Sequence, residues 1–552
     1  MKKRLKGSIT VFYAAVSLSL IMLFGTLLDG VRAFESKKTV AEYEYLSLDN
    51  RLAGYVRELW DDYHLLFMDE RQLQEDTAGA GRLPDGFLSV TVKEGEVLPE
   101  KYFYEQGVYT GQIADYMKYA SIPALIEIIS AGAKSTEENI KADEGLRARL
   151  KTEEQCAKTE TAGNKALNKV SDMAKKHNDF ISNNEFSQDD EEGAKKLIYS
   201  HVCSLLSESK KAQKDIGDYE NEYEKSAGLM SEYEGLSEAD EDYTELKSIM
   251  KGSRAKVRES AASLSANEAK LHRIKEMCED ENVSAESVIS LINSVSYPDH
   301  EIGTGAEGDP QKEYKDKLAN LLSGGITSLV LPEGYEISKK KIKKQGKIPD
   351  EFTTDVENSL LTSVYLYKHF GNFISKNEKD AVLDYELEYL ICGKESDGDN
   401  LRGTLDILLG VRTGANMVKI LKDPKRLAEA GKLALAAGGA SGNAAVVFAV
   451  KTAIITYWAT KDAVSDLKKL CDGETVDGLS YEQYLMTLLV AKSGEKKLLR
   501  SAHLIEENLK SRYDDGFSLE KLYTKISKET EVTIHGTFIK DTSYKQVFSR
   551  SY

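Results

Sequence analysis

GSITVFYAAVSLSLIMLFGTLL, residues 7–28, runs for 22 positions without a charge. As an α-helix it rises roughly 33 Å, enough to cross a hydrocarbon core of about 30 Å. Ser17, Ser19, Gly25 and Thr26 fit such a helix, because a hydroxyl can bond back to its own backbone carbonyls. Lys2, Lys3, Arg4 and Lys6 stand directly before it. Cations on this side hold the N-terminus in the cytoplasm and send the following chain across. The competing reading is a cleaved secretory signal peptide, whose apolar region spans about 7–15 residues. This run is longer, and Leu27-Leu28-Asp29-Gly30-Val31-Arg32 offers no small-x-small cleavage site. A retained anchor is therefore expected. With only residues 1–6 inside, there is no room for a cytoplasmic output domain, which argues against a receptor kinase or similar transducer.

Beyond the anchor, the 552-residue chain is acidic, with 74 basic against 91 acidic residues and a net charge of -17. Such a body repels nucleic acid and anionic lipid headgroups, so no nucleic-acid partner is expected. Only 8 prolines occur, and Glu, Lys, Ala and Leu are abundant, a balance that favours helices. The five cysteines (Cys156, Cys203, Cys278, Cys392, Cys471) are scattered without a C-x-x-C. They are too few for a disulfide scaffold, and their odd number leaves at least one free thiol.

The expected fold is mainly α with minor β. It starts with a cytoplasmic tail (1–6) and the transmembrane helix (7–28). A stalk helix and the first part of an exported α+β body (29–134) follow. Helical spacing persists from Glu35 to about Leu73 through Leu46, Leu52, Tyr55, Val56, Leu59 and Trp60. Trp60, Tyr63, Leu65, Leu66 and Phe67 form a dense apolar knot, read as core. Phe87 and Ser89 to Val92 read as a short strand, with Gly95 and Pro99 as turn punctuation. Helical spacing returns between Tyr109 and Ala133, broken at Pro123.

Next comes a coiled-coil-like helical insertion (135–281), charged and free of proline. Ala212, Ile216, Tyr219, Tyr223, Met230 and Tyr233 recur in steps of three and four or their multiples. So do Tyr243, Leu246, Met250, Val257, Leu264, Leu271, Ile274 and Cys278. The phase slips near 235–240. Such a seam winds around a partner helix, either in a parallel dimer or in an antiparallel hairpin with the slip at its tip. A linker (282–354) carries one expected strand at Ile326–Leu331 and a basic exposed strip at 338–349. The C-terminal helical domain (355–552) forms a bundle with a closing β element around Val532, Ile534, Phe538 and Ile539. Its greasiest part, Leu433–Thr460, reads as two buried helices broken near Gly438–Asn443. Lys451 opposes a second span there, since charge at a bilayer centre is costly.

Chemistry is sparse. The chain has no H-E-x-x-H, no G-x-S-x-G and no Walker A loop. Gly303, Gly305 and Gly308 spell G-x-G-x-x-G, but in an acidic loop without the preceding strand that a dinucleotide site needs. Asp189-Asp190-Glu191-Glu192 and Asp397-Gly398-Asp399-Asn400 lack the ligand spacing of an EF-hand and read as solvated turns. The eight histidines are dispersed with no pair at ligand spacing. No catalytic, cofactor-binding or metal-binding residues are expected, and no enzyme.

Four stretches carry a resemblance: residues 6–33, residues 58–69 (ELWDDYHLLFMD), residues 383–401 (LDYELEYLICGKESDGDNL) and residues 479–490 (LSYEQYLMTLLV). Together they resemble the domain of unknown function 5702, a family of Gram-positive, clostridia-like bacteria. Its genes tend to accompany Tad-type (tight adherence) pilus and secretion machinery, and its N-termini are similar to TadE/TadG pseudopilins. The resemblance implies that Gly7 takes the place of the glycine before the pseudopilin processing site. Pilins carry a glutamate five residues later; this chain has Phe12. That departure implies a membrane-retained accessory or minor component rather than a major pilin. In the second block, Tyr385, Leu387, Tyr389 and Leu390 make one apolar face, and Arg402 is expected to pair with Glu386 or Glu388.

The resulting expectation is a non-enzymatic, single-pass, membrane-anchored extracytoplasmic protein. Its partners are the lipid bilayer, through the N-terminal helix, and Tad-like pilus or secretion proteins. The alternative is a membrane-tethered coiled-coil adhesin or envelope scaffold, and a third reading is an exported hydrolase with a dispersed site.

Overall fold

The computed structural model describes residues 5–75, 90–120, 123–184, 190–236, 241–300, 311–343, 359–377, 379–438, 443–491 and 496–552. In chain order its elements are α1 (Leu5–Leu52), α2 (Arg57–Tyr63), β1 (Met68–Asp69), α3 (Glu70–Glu75), β2 (Val90–Tyr102), α4 (Val108–Ala120), α5 (Pro123–Asn183), α6 (Glu191–Leu236), α7 (Glu241–Glu279) and α8 (Ala285–Asn293). After these come α9 (Lys312–Leu322), α10 (Ile326–Val330), α11 (Ser359–His369), α12 (Glu386–Cys392), α13 (Asp397–Leu421), α14 (Pro424–Gly438), α15 (Ala444–Cys471), α16 (Tyr481–Ala491), α17 (Lys496–Arg512), β3 (Leu522–Ile534) and β4 (Thr542–Ser551). The protein is mainly α with a small antiparallel sheet. Two compact units are formed. One comprises Met1–Ala133, Glu336–Thr404 and Glu482–Tyr552; the other comprises Lys134–Tyr335 and Leu405–Tyr481.

In the first unit, β3 is the organising strand. β2 runs along one edge, from Val90 opposite Ile534 to Tyr102 opposite Tyr523. β1 pairs with the start of β3, and β4 pairs with the remainder, Lys525 opposite Ser551 through Ile534 opposite Thr542. The expected turn at Gly95 and Pro99 is instead part of β2. Gly95 sits in a bulge between Glu94 and Val97, where an added Cβ would lie 2.1 Å from the Glu529 carbonyl oxygen. Pro99 is tolerated because β2 is an edge strand among the described residues. Phe87 and Ser89 lie outside the described residues.

Helix α1 continues unbroken past the apolar run and lays its second half on this sheet. Its buried positions are Gly25, Asp29, Ser36, Val40, Glu44, Leu48 and Leu52, a stripe repeating mostly every fourth residue, as one helix face should. Val40 packs on Val532 and Ile534; Leu48 and Leu52 pack on Tyr523, Ile526 and Phe548. The helical pattern expected to reach Leu73 stops at Leu52, where Ala53 and Gly54 turn the chain. α2 then ends at His64, whose φ is 54°. Tyr63, Leu65 and Phe67 of the expected knot are buried, whereas Trp60 and Leu66 are half-buried.

The second unit is built on long helices. α6 and α7 run antiparallel: Tyr243 donates to the Met230 carbonyl, Arg254 meets Glu220 at 2.8 Å, and Gln213 meets Glu268 at 2.7 Å. Their seam does not close on itself alone. Ala166, Leu167, Val170 and Met173 of α5 enter the same core, and Val288 and Ile292 of α8 cover its end. The expected strand at Ile326–Leu331 is the short helix α10. Gly325, at φ 77°, turns the chain into it, and Ile326 and Val330 are buried one turn apart. A six-residue apolar run fits either period, and packing decided for the helix.

The greasy stretch of the second block becomes α14 and α15. Asn443 caps α15 by accepting from the Val446 amide at 3.2 Å. Val446, Ala449, Val450, Ile454, Ile455 and Ala459 are buried against Ala430 and Ala434 of α14 and Met417 and Ile420 of α13. Lys451 pairs with Asp242 at 2.6 Å. This is a protein core.

Candidate functional site

The two halves of α1 differ in what surrounds them. From Ile9 to Phe24 every residue is exposed, including Val11 at 70%, Phe12 at 64% and Phe24 at 63%. Burying an exposed aliphatic or aromatic side chain gains about 1.5–3 kcal/mol, so this surface favours an apolar environment. α1 is the one described helix long and apolar enough to cross a membrane.

Where the uncharged run ends, the helix is clamped to the first unit by polar contacts. The Asp29 carboxylate oxygen accepts the backbone N–H groups of Thr537, Phe538 and Ile539 at 2.8, 2.5 and 3.0 Å. These residues lie in the β3–β4 turn, not in the β element expected through Phe538 and Ile539. Four turns further along, Glu44 pairs with Lys528 of β3 at 2.9 Å, with the side chains 0% and 2% exposed. Removing one member of such a buried pair costs about 3–5 kcal/mol. Arg550 of β4 holds Asp49 at 2.9 Å. The clamp fixes the helix direction relative to the sheet.

Lys497 donates to the Ser363 hydroxyl at 2.9 Å and to the Leu489 carbonyl at 3.0 Å, and burial lowers its pKa to about 8. A lysine poised near neutrality beside a serine is the raw material of a nucleophile. Both residues are buried, however, at 2% and 0% exposure, and the amine closes the end of α16.

Glu386 and Glu388 do not pair with Arg402, which is exposed. Glu386 instead accepts from the Gly371 amide, Asn377 and Asn508, and burial raises its pKa. Glu388 accepts from the Phe373 amide at 2.9 Å. These carboxylates tie the 371–377 segment to α12, because an isolated buried carboxylate is unaffordable without such donors. Tyr385, Leu387, Tyr389 and Leu390 are all buried.

Asp397 is not in a solvated turn. It is fully buried and accepts the Asp384 and Tyr385 amides and the Ser338 hydroxyl, while Asn400 brackets the Lys394 backbone. Asp190 accepts the Gly193 amide at the start of α6; Asp189 lies outside the described residues, as does the glycine motif at 303–308. Asp190 therefore caps the start of α6, whereas Asp397 ties the 338 and 384–385 segments to the start of α13.

Two histidine pairs escaped the sequence reading, since their members are brought together only by folding. His64 and His369 have ring centroids 5.2 Å apart, with Tyr116 beside both. His177 and His201 have ring nitrogens 3.2 Å apart. Burial lowers His369 and His201 to about 4. No group of three or more His, Cys, Asp or Glu able to hold a metal occurs among the described residues. In the second unit, a mainly apolar cleft of about 310 Å³ lies between Leu150, Tyr314, Leu318 and Ala453, where Glu154 holds Lys315 at 3.0 Å. All five cysteines are free thiols.

Residues 305–477 and 473–534 match the model of a family of unknown function, DUF5702. The match includes the stretches 383–401 and 479–490 and leaves out the two N-terminal ones. No curated protein and no solved structure matches the chain.

Proposed function

We propose that this protein is a non-enzymatic, single-pass membrane protein with its bulk outside the cytoplasm, serving as an accessory pseudopilin-like component of a Tad-type pilus or secretion system. The observation that carries the reading is the division of α1 at Gly25. The preceding turns bear large apolar side chains on every face, and the following turns are fixed to a sheet in one continuous helix. Such a helix transmits the position of its membrane end to the exported unit, as a component seated at an assembly platform requires. Lys2, Lys3, Arg4 and Lys6 support the orientation. Phe12, in the place of the pilin glutamate, supports an accessory place over a repeating one.

The test is affinity isolation of the full chain from detergent-solubilised membranes of a bacterium that encodes it beside such machinery. Recovery of the secretion ATPase, the platform proteins or a pilin is the expected result. Recovery of none would leave a tethered adhesin or scaffold as the better reading. That second reading draws on α6 and α7, a long charged antiparallel helix pair.

A further inference from the structure

The β3–β4 turn combines exposed apolar side chains with a backbone whose donors are already taken. Gly536 N–H donates to Asp541 Oδ1 at 3.1 Å, and the next three amides all donate to Asp29. Four successive amides are thus satisfied by two carboxylates. A turn bathed in water needs no such provision, whereas a turn entering a low-dielectric zone does, because an orphaned N–H there is costly. The side chains point the same way. Phe538 is 49% exposed and Ile539 39%, and Lys540 beside them is exposed.

The turn's height on α1 is fixed by two contacts. Asp29 is the first charge after the uncharged run. The Phe538 ring lies over Gly25, where an added Cβ would come within 2.4 Å of its Cγ. Four residues of helix correspond to about 6 Å, so the ring reaches roughly one turn inside the uncharged run. Phe24, Leu27 and Leu28, each more than half exposed, flank it on the same helix. Aromatic rings with a nearby cation are favoured at the boundary between hydrocarbon and headgroups.

We infer that the turn Thr537-Phe538-Ile539-Lys540 is a second membrane-contact site, with Phe538 and Ile539 seated in the bilayer interface beside the α1 span and Lys540 facing lipid phosphates. Asp29 is its positioning residue. The inference rests on the reading of α1 as a bilayer-spanning anchor. It goes further in making the membrane grip the sheet as well as the helix, which restricts how the first unit can tilt on the surface.

The test uses the full chain reconstituted in vesicles of phosphatidylcholine and phosphatidylglycerol. Phe538→Trp adds one indole, read as the difference from the unmodified chain with its Trp60 and Trp458; Ile539→Trp is a second reporter should the first variant misfold. The added emission is expected to be blue-shifted, and most of it should be lost when the lipids carry bromine on the upper acyl chain. Gly25→Leu, which displaces the ring, should restore much of that emission while the chain still resists alkaline carbonate. Unquenched emission from carbonate-resistant chain overturns the inference and leaves the anchor standing. Unquenched emission together with cross-linking of two copies through the turn assigns the patch to self-association instead. Release of the unmodified chain by carbonate sinks the anchor reading and the inference with it.

Discussion

The uncharged run of α1 and helix α15 are both long and apolar, and they resolve their apolar surface in opposite ways. α15 is built largely from Ala, Val, Ile and Thr, and a Cβ added at Gly438 of α14 would lie 3.4–3.5 Å from Val446 and Val447. Small residues allow neighbouring helices to approach closely, so α15 finds its apolar surroundings in protein. Its one cation within the greasy stretch, Lys451, is matched by Asp242. The α1 run carries Leu, Ile, Met and Phe around its whole circumference, and every residue from Ile9 to Phe24 is exposed. Hydropathy measures how much apolar surface a helix brings; side-chain size and distribution around the axis decide which phase covers it.

A buried charge should separate the two most sharply. Ile454→Asp in α15 is expected to destabilise the second unit by about 4 kcal/mol or more, read as a collapse of the urea transition in detergent. Leu20→Asp should leave that transition unchanged while abolishing retention in membranes. Cavity formation repeats the contrast on a smaller scale. Leu470→Ala, at a fully buried site, should cost about 3 kcal/mol. Leu23→Ala, with 55% of the residue exposed, should stay within about 0.5 kcal/mol.

Acid should distinguish the packed units from the span. His369 titrates near 4 in the fold because burial disfavours its charged form, whereas the unfolded chain takes up the proton below about 6.5. Stability contributed by the neutral ring is therefore complete above the unfolded value and falls as pH drops toward the folded one. The share of the loss due to His369 between about pH 7 and about pH 5 should be near 2 kcal/mol, and His369→Asn should remove that share while the one from His201 persists. Membrane retention, which rests on a run from 7 to 28 without Asp, Glu, His, Lys or Arg, should not change over this range. The smallest effect concerns the entry to α15: Asn443→Ala removes its cap and should cost about 1 kcal/mol, seen as a small shift in the same urea transition.

Much of this contrast was legible in the sequence, because it depends on local runs. The charge-free length of 7–28, the start of α5 at Pro123 and the break before Asn443 are all written in consecutive residues. The seam on α6 and α7 was visible as a period, although the third helix in its core, α5, was not, since its Ala166, Leu167 and Val170 are no more apolar than a solvated face allows. What failed was set by long-range packing. Ile326–Val330 became a helix because burial of Ile326 and Val330 outweighed β-branched propensity. Glu386 or Glu388 was expected to pair with Arg402 and Asp397 to sit in a solvated turn, and only folding supplied the backbone amides that let these carboxylates be buried. The Asp29 clamp joins positions more than 500 residues apart, and no local pattern announces it.

The most direct test of the account places the α1 run itself. Full-length protein is made in bacterial cells; one portion is fractionated with an alkaline carbonate wash, and intact spheroplasts from another are treated with external protease. The chain is expected to stay with the membrane pellet and its bulk to be digested in unbroken spheroplasts. Full-length chain in the carbonate supernatant, or a membrane-bound chain that resists protease until the spheroplasts are lysed, would contradict it.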